Sequence, residues 1–189
     1  MIVDDQKFTA DMLRQMVKVL GCAEIHMFMN ADQAWTFFKN GGVDLVILDW
    51  EMSPGDGLKL AKLIRRSEES PNKYVPIIMV TAHNERDHVF IARDAGVTEY
   101  VIKPVSPKAL FSRIEAVIER PRRFVRVGDY FGPDRRRHKT AYEGDDRRGK
   151  DKNAKPEAAS RGPVVMNQDE INRTFNPDDD KPGDKPDGD

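Results

Sequence analysis

The chain has 189 residues, a net charge of −1 and a single cysteine, Cys22. This length suits one hydrophobic core, the balanced charge gives no reason to expect whole-chain binding to nucleic acid or membranes, and one cysteine excludes a disulfide framework. No apolar run approaches the roughly 18–20 residues of a membrane span, and the N-terminal residues lack the basic and apolar regions of a signal peptide. We therefore expect a cytoplasmic protein without membrane insertion.

Apolar segments alternate with amphipathic segments from residue 1 to residue 119. Continuous apolar runs indicate β-strands, and apolar residues at helical spacing indicate α-helices. The predicted order is strand 2–3, helix 8–20, strand 23–29, helix 31–39, strand 45–48, helix 57–68, strand 75–80, helix 85–95, strand 99–102 and helix 107–119. Met1 directly precedes the first strand, so we expect either further residues upstream or a short first strand.

The strands at 45–48 and 75–80 are apolar without alternation. This pattern indicates burial on both faces and therefore a parallel sheet that is covered by helices on both sides. Five successive β–α units predict an α/β fold with a doubly wound, five-stranded parallel sheet. In such sheets the ligand site lies beyond the carboxyl ends of the strands.

Charged and hydroxyl side chains follow these strands. Asp4 and Asp5 follow the first strand, Asp49 ends the third, Thr81 ends the fourth and Lys103 ends the fifth. Three converging carboxylates need a cation, and oxygen ligands favour Mg²⁺. Asp49 is the candidate nucleophile for covalent phosphoryl transfer, Lys103 would stabilise the phosphoryl oxygens, and Thr81 would bind the transferred group. A single aspartate at a strand end is more often a cap or turn residue, so the prediction rests on the whole set.

Four segments resemble the motif set of CheY-like response-regulator receiver domains. They are Val3-Asp4-Asp5, Leu48-Asp49-Trp50-Glu51-Met52, Val80-Thr81-Ala82 and Tyr100-Val101-Ile102-Lys103-Pro104. The resemblance covers residues 1–119 and implies a flavodoxin-like sheet with strand order 2-1-3-4-5, for which CheY is a standard example. It also implies a partner sensor histidine kinase and output through a downstream protein target, with chemotaxis or motility as the expected setting.

The resemblance further implies a set of metal ligands. Asp5 and Asp49 would ligate Mg²⁺ directly, the backbone carbonyl of Glu51 would be the third protein ligand, and Asp4 would act through water. The family usually has proline directly after the position of Met52, whereas Ser53 intervenes in this chain. We therefore expect a slightly different shape for the loop that follows the third strand.

The same resemblance makes Thr81 and Tyr100 the switch pair. Phosphorylation would draw the hydroxyl of Thr81 towards the phosphoryl group, and the ring of Tyr100 would follow into the vacated space. The face formed by the fourth helix, fifth strand and fifth helix would change as a result. Such a change is a population shift between two existing conformations.

The composition changes at residue 120, where apolar residues become sparse. A segment of this kind cannot offset its ordering entropy, so we predict disorder after residue 119 apart from two short segments. The first, residues 120–139, is a basic and aromatic extension. Its aromatic residues either pack back on the domain, or its arginines bind an anionic ligand, since the composition resembles the cyclic-di-GMP-binding extensions of some CheY-like proteins. The candidate anion-binding residues are Arg122, Arg123, Arg126, Arg135, Arg136 and Arg137.

The second segment, residues 164–175, lies in a tail at 140–189 that we otherwise predict to be disordered. Met166, Ile171 and Phe175 are its apolar anchors, and Asn167 followed by Glu170 resembles a capping box. We predict a short helix that docks on the face of the fourth helix, fifth strand and fifth helix of a receiver, its own or a partner's. The segment is similar to the flagellar switch peptide that phosphorylated CheY binds.

Three functions remain open at this point. The first is a signalling module that switches on phosphorylation and has no enzymatic activity except towards itself. The second is an effector that binds a cyclic dinucleotide or nucleic acid through the arginine-rich extension, although no helix-turn-helix pattern follows residue 119. The third is a Mg²⁺-dependent phosphohydrolase, which is disfavoured because the sequence has no pattern of a separate substrate pocket. We also expect the receiver domain to fold without the tail, since the amphipathic helices identified by spacing in the domain all precede residue 120.

Overall fold

The structure, a computed structural model, describes residues 1–128, 130–134 and 163–176. The first ten elements follow the predicted alternation. They are β1 Ile2–Val3, α1 Lys7–Val19, β2 Met27–Phe28, α2 Ala31–Phe38, β3 Val46–Asp49, α3 Gly57–Arg66, β4 Ile77–Thr81, α4 Arg86–Asp94, β5 Glu99–Ile102 and α5 Pro107–Glu119. Every strand and helix predicted up to residue 119 is therefore present, although the strand predicted at 23–29 is reduced to two residues.

Strands β1 to β5 form one parallel sheet in the order β2-β1-β3-β4-β5, which confirms the predicted topology. All residues of β3 and β4 are buried, as their continuous apolar sequence predicted. Helices α1 and α5 cover one face through a core that contains Leu13, Val17, Leu110 and Ile114. Helices α2, α3 and α4 cover the other face. Its core contains Phe38, Leu60, Ala61, Ile64, Val89 and Ala92.

Capping side chains set the start of several helices. Asn30, Asp56 and Ser106 each accept a hydrogen bond from a backbone N–H in the first turn of α2, α3 and α5, respectively. Such caps satisfy N–H groups that have no partner within the helix, and each contributes about 1 kcal/mol. Within the described ranges, none of the helices combines the length and apolar character that a membrane span requires.

A hairpin follows α5 that the sequence analysis did not predict. It consists of β6 Phe124–Val127 and β7 Tyr130–Pro133, paired antiparallel. The ring of Tyr74 contacts the rings of Phe124 and Phe131 edge-on, with centroids 5.3 Å apart in each case. The buried guanidinium of Arg65 lies 5.1 Å from the centroid of Phe124. The aromatic residues of the extension therefore pack on the domain, and the ordered unit extends past the boundary expected at residue 119.

Gly96 allows the hairpin to approach the domain closely. A Cβ atom at this position would lie 2.9 Å from the backbone oxygen of Phe131 and 3.0 Å from Arg65 Cγ. The backbone of Gly96 also has a φ of +89°, which side chains other than glycine rarely adopt. The turn after α4 and the last strand of the hairpin thus fit together only because this position has no side chain.

The segment 163–176 contains the predicted helix, α6 Gln168–Phe175, docked on this same domain. Asn167 and Glu170 form a complete capping box at its start. Ile171 and Phe175 have no exposed surface and belong to the core on the α2–α3–α4 side of the sheet. The reason given for folding of the receiver domain without the tail, that its amphipathic helices all precede residue 120, therefore leaves out α6, which buries two residues in the core. Folding without the tail stays a prediction.

Before α6, the chain pairs with the start of α4. The N–H of Met166 donates to the carbonyl of Asn84, and the N–H of Arg86 donates to the carbonyl of Val164, both at 2.8 Å. Half-buried Met166 packs against the core that holds Ile171. Residues 140–162 and 177–189, predicted to be disordered, lie outside the described residues.

The side chain of Gln168 completes the open edge of the sheet. Strand β5 is the last strand, so its outer backbone groups lack a neighbouring strand. The N–H of Ile102 donates to Gln168 Oε1, and Gln168 Nε2 donates to the carbonyl of Tyr100, both at 2.8 Å. One amide side chain thus takes the place of a sixth strand at this point of the edge.

Replacing Gln168 with alanine should expose the amide of Ile102 to exchange. The loss of one hydrogen bond, worth up to about 1.4 kcal/mol, corresponds to roughly tenfold faster exchange. Hydrogen exchange followed by nuclear magnetic resonance measures this directly. Asp169→Ala, an exposed neighbour in the same turn, is the control. Unchanged protection of Ile102 in Gln168→Ala would show that the side chain does not protect this edge.

Candidate functional site

The carboxyl edge of the sheet brings three aspartates together. Asp4, Asp5 and Asp49 each offer a carboxylate oxygen, and these oxygens lie within 4.8 Å of one another. The register explains the convergence, because Val3 pairs with Leu48, so the residues that follow them lie side by side. Asp4 is fully buried and Asp49 is 4% exposed. The structure therefore contains the predicted acidic cluster.

Lys103 reaches this cluster from the end of β5. Its Nζ atom lies 2.7 Å from Asp49 Oδ2 and 3.1 Å from Asp4 Oδ2. Its backbone N–H donates to the carbonyl of Thr81 at 2.8 Å, which fixes the chain beside the end of β4. One ammonium group thus bridges two buried carboxylates, and such charge-assisted hydrogen bonds are about twice as strong as neutral ones.

Burial and the ion pair act in opposite directions on the pKa values of these groups. Burial raises the pKa of the Asp49 carboxyl, and the hydrogen bond and charge of Lys103 only partly oppose this effect. For Lys103, burial lowers the pKa, but the hydrogen bond and charge of Asp49, together with Asp4, outweigh it and the net pKa is raised. The lysine is therefore held charged, whereas ionised Asp49 is under-compensated and favours additional positive charge.

Gly57, the first residue of α3, allows this helix to begin in close contact with the backbone of Asp49. A Cβ atom at this position would lie 1.8 Å from the backbone oxygen of Asp49. The N–H of Gly57 donates to the carbonyl of Trp50 at 2.8 Å, and Asp56 caps the helix. The loop from residue 50 to residue 56 is thereby held over the site.

The donor set fits Mg²⁺, which prefers carboxylate and carbonyl oxygens and retains several waters. Both oxygens of Asp4 are engaged, one by the N–H of Gln6 at 2.9 Å and one by Lys103. Asp5 lies in an open cleft with Glu51, and its Oδ2 accepts from the N–H of Ser53 at 2.8 Å. This arrangement agrees with the expectation that Asp4 would bind Mg²⁺ through water and Asp5 would bind it directly.

Thr81 and Tyr100 meet at the backbone of His83. The N–H of His83 donates to Thr81 Oγ1 at 3.2 Å, and the hydroxyl of Tyr100 donates to the carbonyl of His83 at 2.8 Å. Both Thr81 and Tyr100 are fully buried. Burial, and then the charge of Glu85, raise the pKa of the Tyr100 hydroxyl, which stays protonated and able to donate. The predicted switch pair is therefore connected through one residue, His83.

The tail helix covers the other side of Tyr100. The ring of Phe175 stacks on the ring of Tyr100 with centroids 5.8 Å apart and an interplanar angle of 23°. At the end of the helix, Asn176 Nδ2 donates to Glu99 Oε1 at 2.6 Å, and Arg113 pairs with Glu99 Oε2 at 3.2 Å. Burial raises the pKa of the Glu99 carboxyl, and the bonds from Asn176 and Arg113 oppose it.

The arginines of the extension have different partners in the structure. Arg122 is half-buried and donates to the carbonyl of Asp134, whereas exposed Arg126 lies over the ring of Phe131, 5.2 Å from its centroid. Arg123 is exposed. The other three candidates, Arg135, Arg136 and Arg137, lie outside the described residues. Anion binding by this extension stays a prediction.

Sequence reasoning missed two residues that join the site to the tail. His83 links the switch pair through its backbone, so its side-chain identity gave no signal. Gln168 is a polar residue in a polar segment, and only its position directly after the capping residue could have pointed to it. The Gln168 side chain bonds to backbone groups of β5 that are 66 and 68 residues away in sequence.

Comparison with known proteins shows which family this arrangement resembles. The family model described as response regulator receiver domain matches residues 1–115. The chain is 31% identical over 120 residues to the chemotaxis protein CheY of Pseudomonas aeruginosa, covering 64% of this chain and 95% of that protein. It is 33% identical over 122 residues to the phosphate regulon transcriptional regulatory protein PhoB of the same organism. That match covers 64% of this chain and 51% of PhoB, so the chain spans only about half of this relative.

Solved structures give the same result. A chain of the CheX–CheY–BeF3–Mg²⁺ complex of Borrelia burgdorferi has a TM-score of 0.57 and 26% identity, covering 61% of this chain and 85% of the matched chain. A two-component response regulator from Clostridium difficile has a TM-score of 0.56 and 28% identity, covering 63% and 93%, respectively. With the strand order, the acidic cluster and the bridging lysine, these matches show that the chain belongs to the response-regulator receiver domain family.

Proposed function

We propose that the protein is a signalling switch in which Asp49 accepts a phosphoryl group from a sensor histidine kinase. The observation that carries this proposal is the bridging of buried Asp49 and Asp4 by Lys103 at the carboxyl edge of the sheet. An ionised carboxylate can act as the nucleophile in covalent phosphoryl transfer, and positive charge from Lys103 and a bound cation would stabilise the phosphoryl oxygens.

The reaction is a transfer between two side chains. An oxygen of Asp49 forms a bond to phosphorus as the phosphorus–nitrogen bond of the donor phosphohistidine breaks, and the histidine nitrogen keeps the electron pair. Lys103 already contacts Asp49 and would stay within reach of the phosphoryl oxygens. Mg²⁺, held by Asp5, Asp49 and the carbonyl of Glu51, would supply further positive charge to those oxygens. The hydroxyl of Thr81 would donate to the acyl phosphate.

The protein would act by contacting a downstream protein target. It would have no enzymatic activity beyond its own phosphorylation and dephosphorylation. The family similarity includes both a chemotaxis protein and a transcriptional regulator. We favour chemotaxis or motility, because the match to CheY spans nearly that whole protein, whereas the match to PhoB spans half of it. The cytoplasm is the proposed location.

The proposed output surface is the one that the tail covers. Phe175 stacks on Tyr100, and the Tyr100 hydroxyl contacts His83, which contacts Thr81. Tail docking therefore requires the buried position of the Tyr100 ring, and phosphorylation is proposed to favour that same position through Thr81. Two events that favour one conformation strengthen each other, and this linkage is reciprocal. The tail would act as a tethered ligand of the phosphorylated domain.

Incubation with acetyl phosphate and Mg²⁺ should add one phosphoryl group to the protein and none to Asp49→Asn. Intact-mass spectrometry measures the addition. The reason is that the amide cannot act as the nucleophile. Asp94→Asn is the matched control, since this exposed aspartate pairs with Arg93 at the opposite end of α4. A phosphoryl adduct on Asp49→Asn equal to that on the wild type would assign the acceptor to another residue.

A labelled peptide with the sequence of residues 163–176 should bind full-length Phe175→Ala more tightly than the wild type. In the wild type, the tethered tail competes at an effective concentration on the order of millimolar. Fluorescence anisotropy measures the titration, and beryllofluoride with Mg²⁺, as a phosphoryl mimic, should strengthen binding to Phe175→Ala.

The control for this titration is a peptide that carries Ile171→Ala, which removes one of the two fully buried anchors. We expect its binding to be weaker by about tenfold or more, since burial of a side chain of this size contributes about 1.5–3 kcal/mol. Equal binding of the two peptides would mean that the segment does not occupy the groove seen in the structure.

A further inference from the structure

A cavity lies at the amino end of the sheet, between the hairpin and the end of α5. Its volume is about 330 Å³, which falls at the lower end of the range for small-molecule sites. Residues at the starts of β4 and β5, at the end of α5 and in β6 line it. Most of the lining is apolar and includes Pro76, Ala116, Val117, Pro121 and Phe124. The extension after α5 therefore supplies part of the wall of a possible binding site.

The aromatic part of this wall is held in place by the domain. The ring of Phe124 lies 5.1 Å from the guanidinium carbon of buried Arg65 and 5.3 Å from the ring of Tyr74, centroid to centroid. Tyr74 also lines the cavity. Aromatic rings prefer offset-stacked or edge-on contacts with one another. Two rings at the cavity that are already fixed suit a ligand that has a ring of its own.

Arg122 brings a positive charge to this apolar lining. Its side chain is half-buried, and within the described residues the hydrogen bond of its guanidinium goes to the backbone carbonyl of Asp134. A guanidinium has several N–H donors in a planar arrangement that matches a carboxylate. Burial lowers the pKa of Arg122, and the charges of Glu99 and Asp134 only partly oppose this effect. An anion in the cavity would use the other donors and offset the cost of burying this charge.

Glu99 is the carboxylate among the described residues of the lining, and its charge is already matched. Its Oε1 accepts from Asn176 Nδ2 at 2.6 Å, and its Oε2 pairs with Arg113 at 3.2 Å. Two cationic residues, Arg120 and Arg122, line the same cavity. The charge of the lining therefore favours an anion over a cation.

We propose that this cavity binds a small organic anion with an aromatic body, of the class of the aromatic carboxylates. The charged group would form charge-assisted hydrogen bonds with the guanidinium of Arg122. The aromatic body would pack on Phe124 and on the apolar residues at the end of α5. A cavity of this volume encloses a single ring system, so a cyclic dinucleotide, with two bases and two sugars, is too large for it.

The proposed site lies at the opposite end of the sheet from the phosphorylation site. Strand β5 begins at Glu99, beside the cavity, and the residue that follows its other end is Lys103. The cavity shares no lining residue with the acidic cluster among the parts of the chain that the structure describes. Ligand binding therefore does not depend on whether Asp49 accepts a phosphoryl group. Glu99 also contacts Asn176, so the ligand would bind beside the end of the docked tail helix.

Titration of the full-length, unphosphorylated protein with 8-anilinonaphthalene-1-sulfonate tests the proposal. This probe is an aromatic anion whose fluorescence increases in apolar surroundings. We expect one saturable site in the wild type. Its dissociation constant should be at least about tenfold higher in Arg122→Gln, because hydrogen bonds to charged groups are strong. Unchanged affinity in this variant, or no saturable binding by the wild type, would overturn the proposal.

Arg123→Gln is the matched control. Arg123 is exposed and adjacent to Arg122 in sequence, but it is not among the residues that line the cavity. The variant removes the same charge from the same segment, and we expect its affinity for the probe to equal that of the wild type. A loss as large as that of Arg122→Gln would mean that the probe responds to the overall charge of the extension, which contradicts the proposal.

A second measurement on the wild type needs no variant. The anion 2-naphthoate should displace the probe, whereas 2-naphthylmethanol has the same ring system without the charge. We expect displacement by the alcohol to require a concentration at least about tenfold higher. Equal displacement by the two compounds would show that no positive charge takes part in binding, and it would contradict the proposal even if Arg122→Gln failed to fold.

Discussion

The structure depends on one ammonium group held between two buried carboxylates. Lys103 lies 2.7 Å from Asp49 and 3.1 Å from Asp4, and each group comes from the end of a different strand. A parallel sheet is what makes this possible, because it places the carboxyl ends of β1, β3 and β5 at one edge. Removing Lys103 would leave two buried carboxylates without compensation, which is strongly destabilising.

The site at the carboxyl edge of the sheet could be predicted because each of its residues is identified by the few residues that precede it in the sequence. Each of Asp49, Thr81 and Lys103 stands directly after an apolar run that can only be a buried strand, so chain order and strand position were sufficient. The hairpin at 124–133 was missed because its strands are short and its stability comes from Tyr74 and Arg65, which are distant in sequence. The helix at 168–175 was predicted from its anchors and capping box. The sequence left open whether it docks on its own domain or on a partner's, because no local pattern identifies the receiving groove.

The tail contributes both packing and hydrogen bonds to the edge of the sheet. Ile171 and Phe175 are fully buried, and Gln168 bonds to the outer backbone groups of β5. Strand edges without such cover tend to pair with other chains. Phe175 of the tail stacks on Tyr100, a member of the proposed switch pair. The loop that contains His83 and Glu85 contacts Thr81 and Tyr100 on one side and Val165 of the tail on the other.

If phosphorylation at Asp49 and tail docking favour the same position of Tyr100, as we propose, the affinity for beryllofluoride with Mg²⁺ should differ between the wild type and Phe175→Ala. Linkage then requires the variant to bind the phosphoryl mimic more weakly, by about fivefold or more for a typical coupling free energy. Asp169→Asn, on the exposed side of α6, should bind like the wild type. Equal affinity in the wild type and Phe175→Ala would contradict the claim and leave the tail a cover of the sheet edge without a role in signalling.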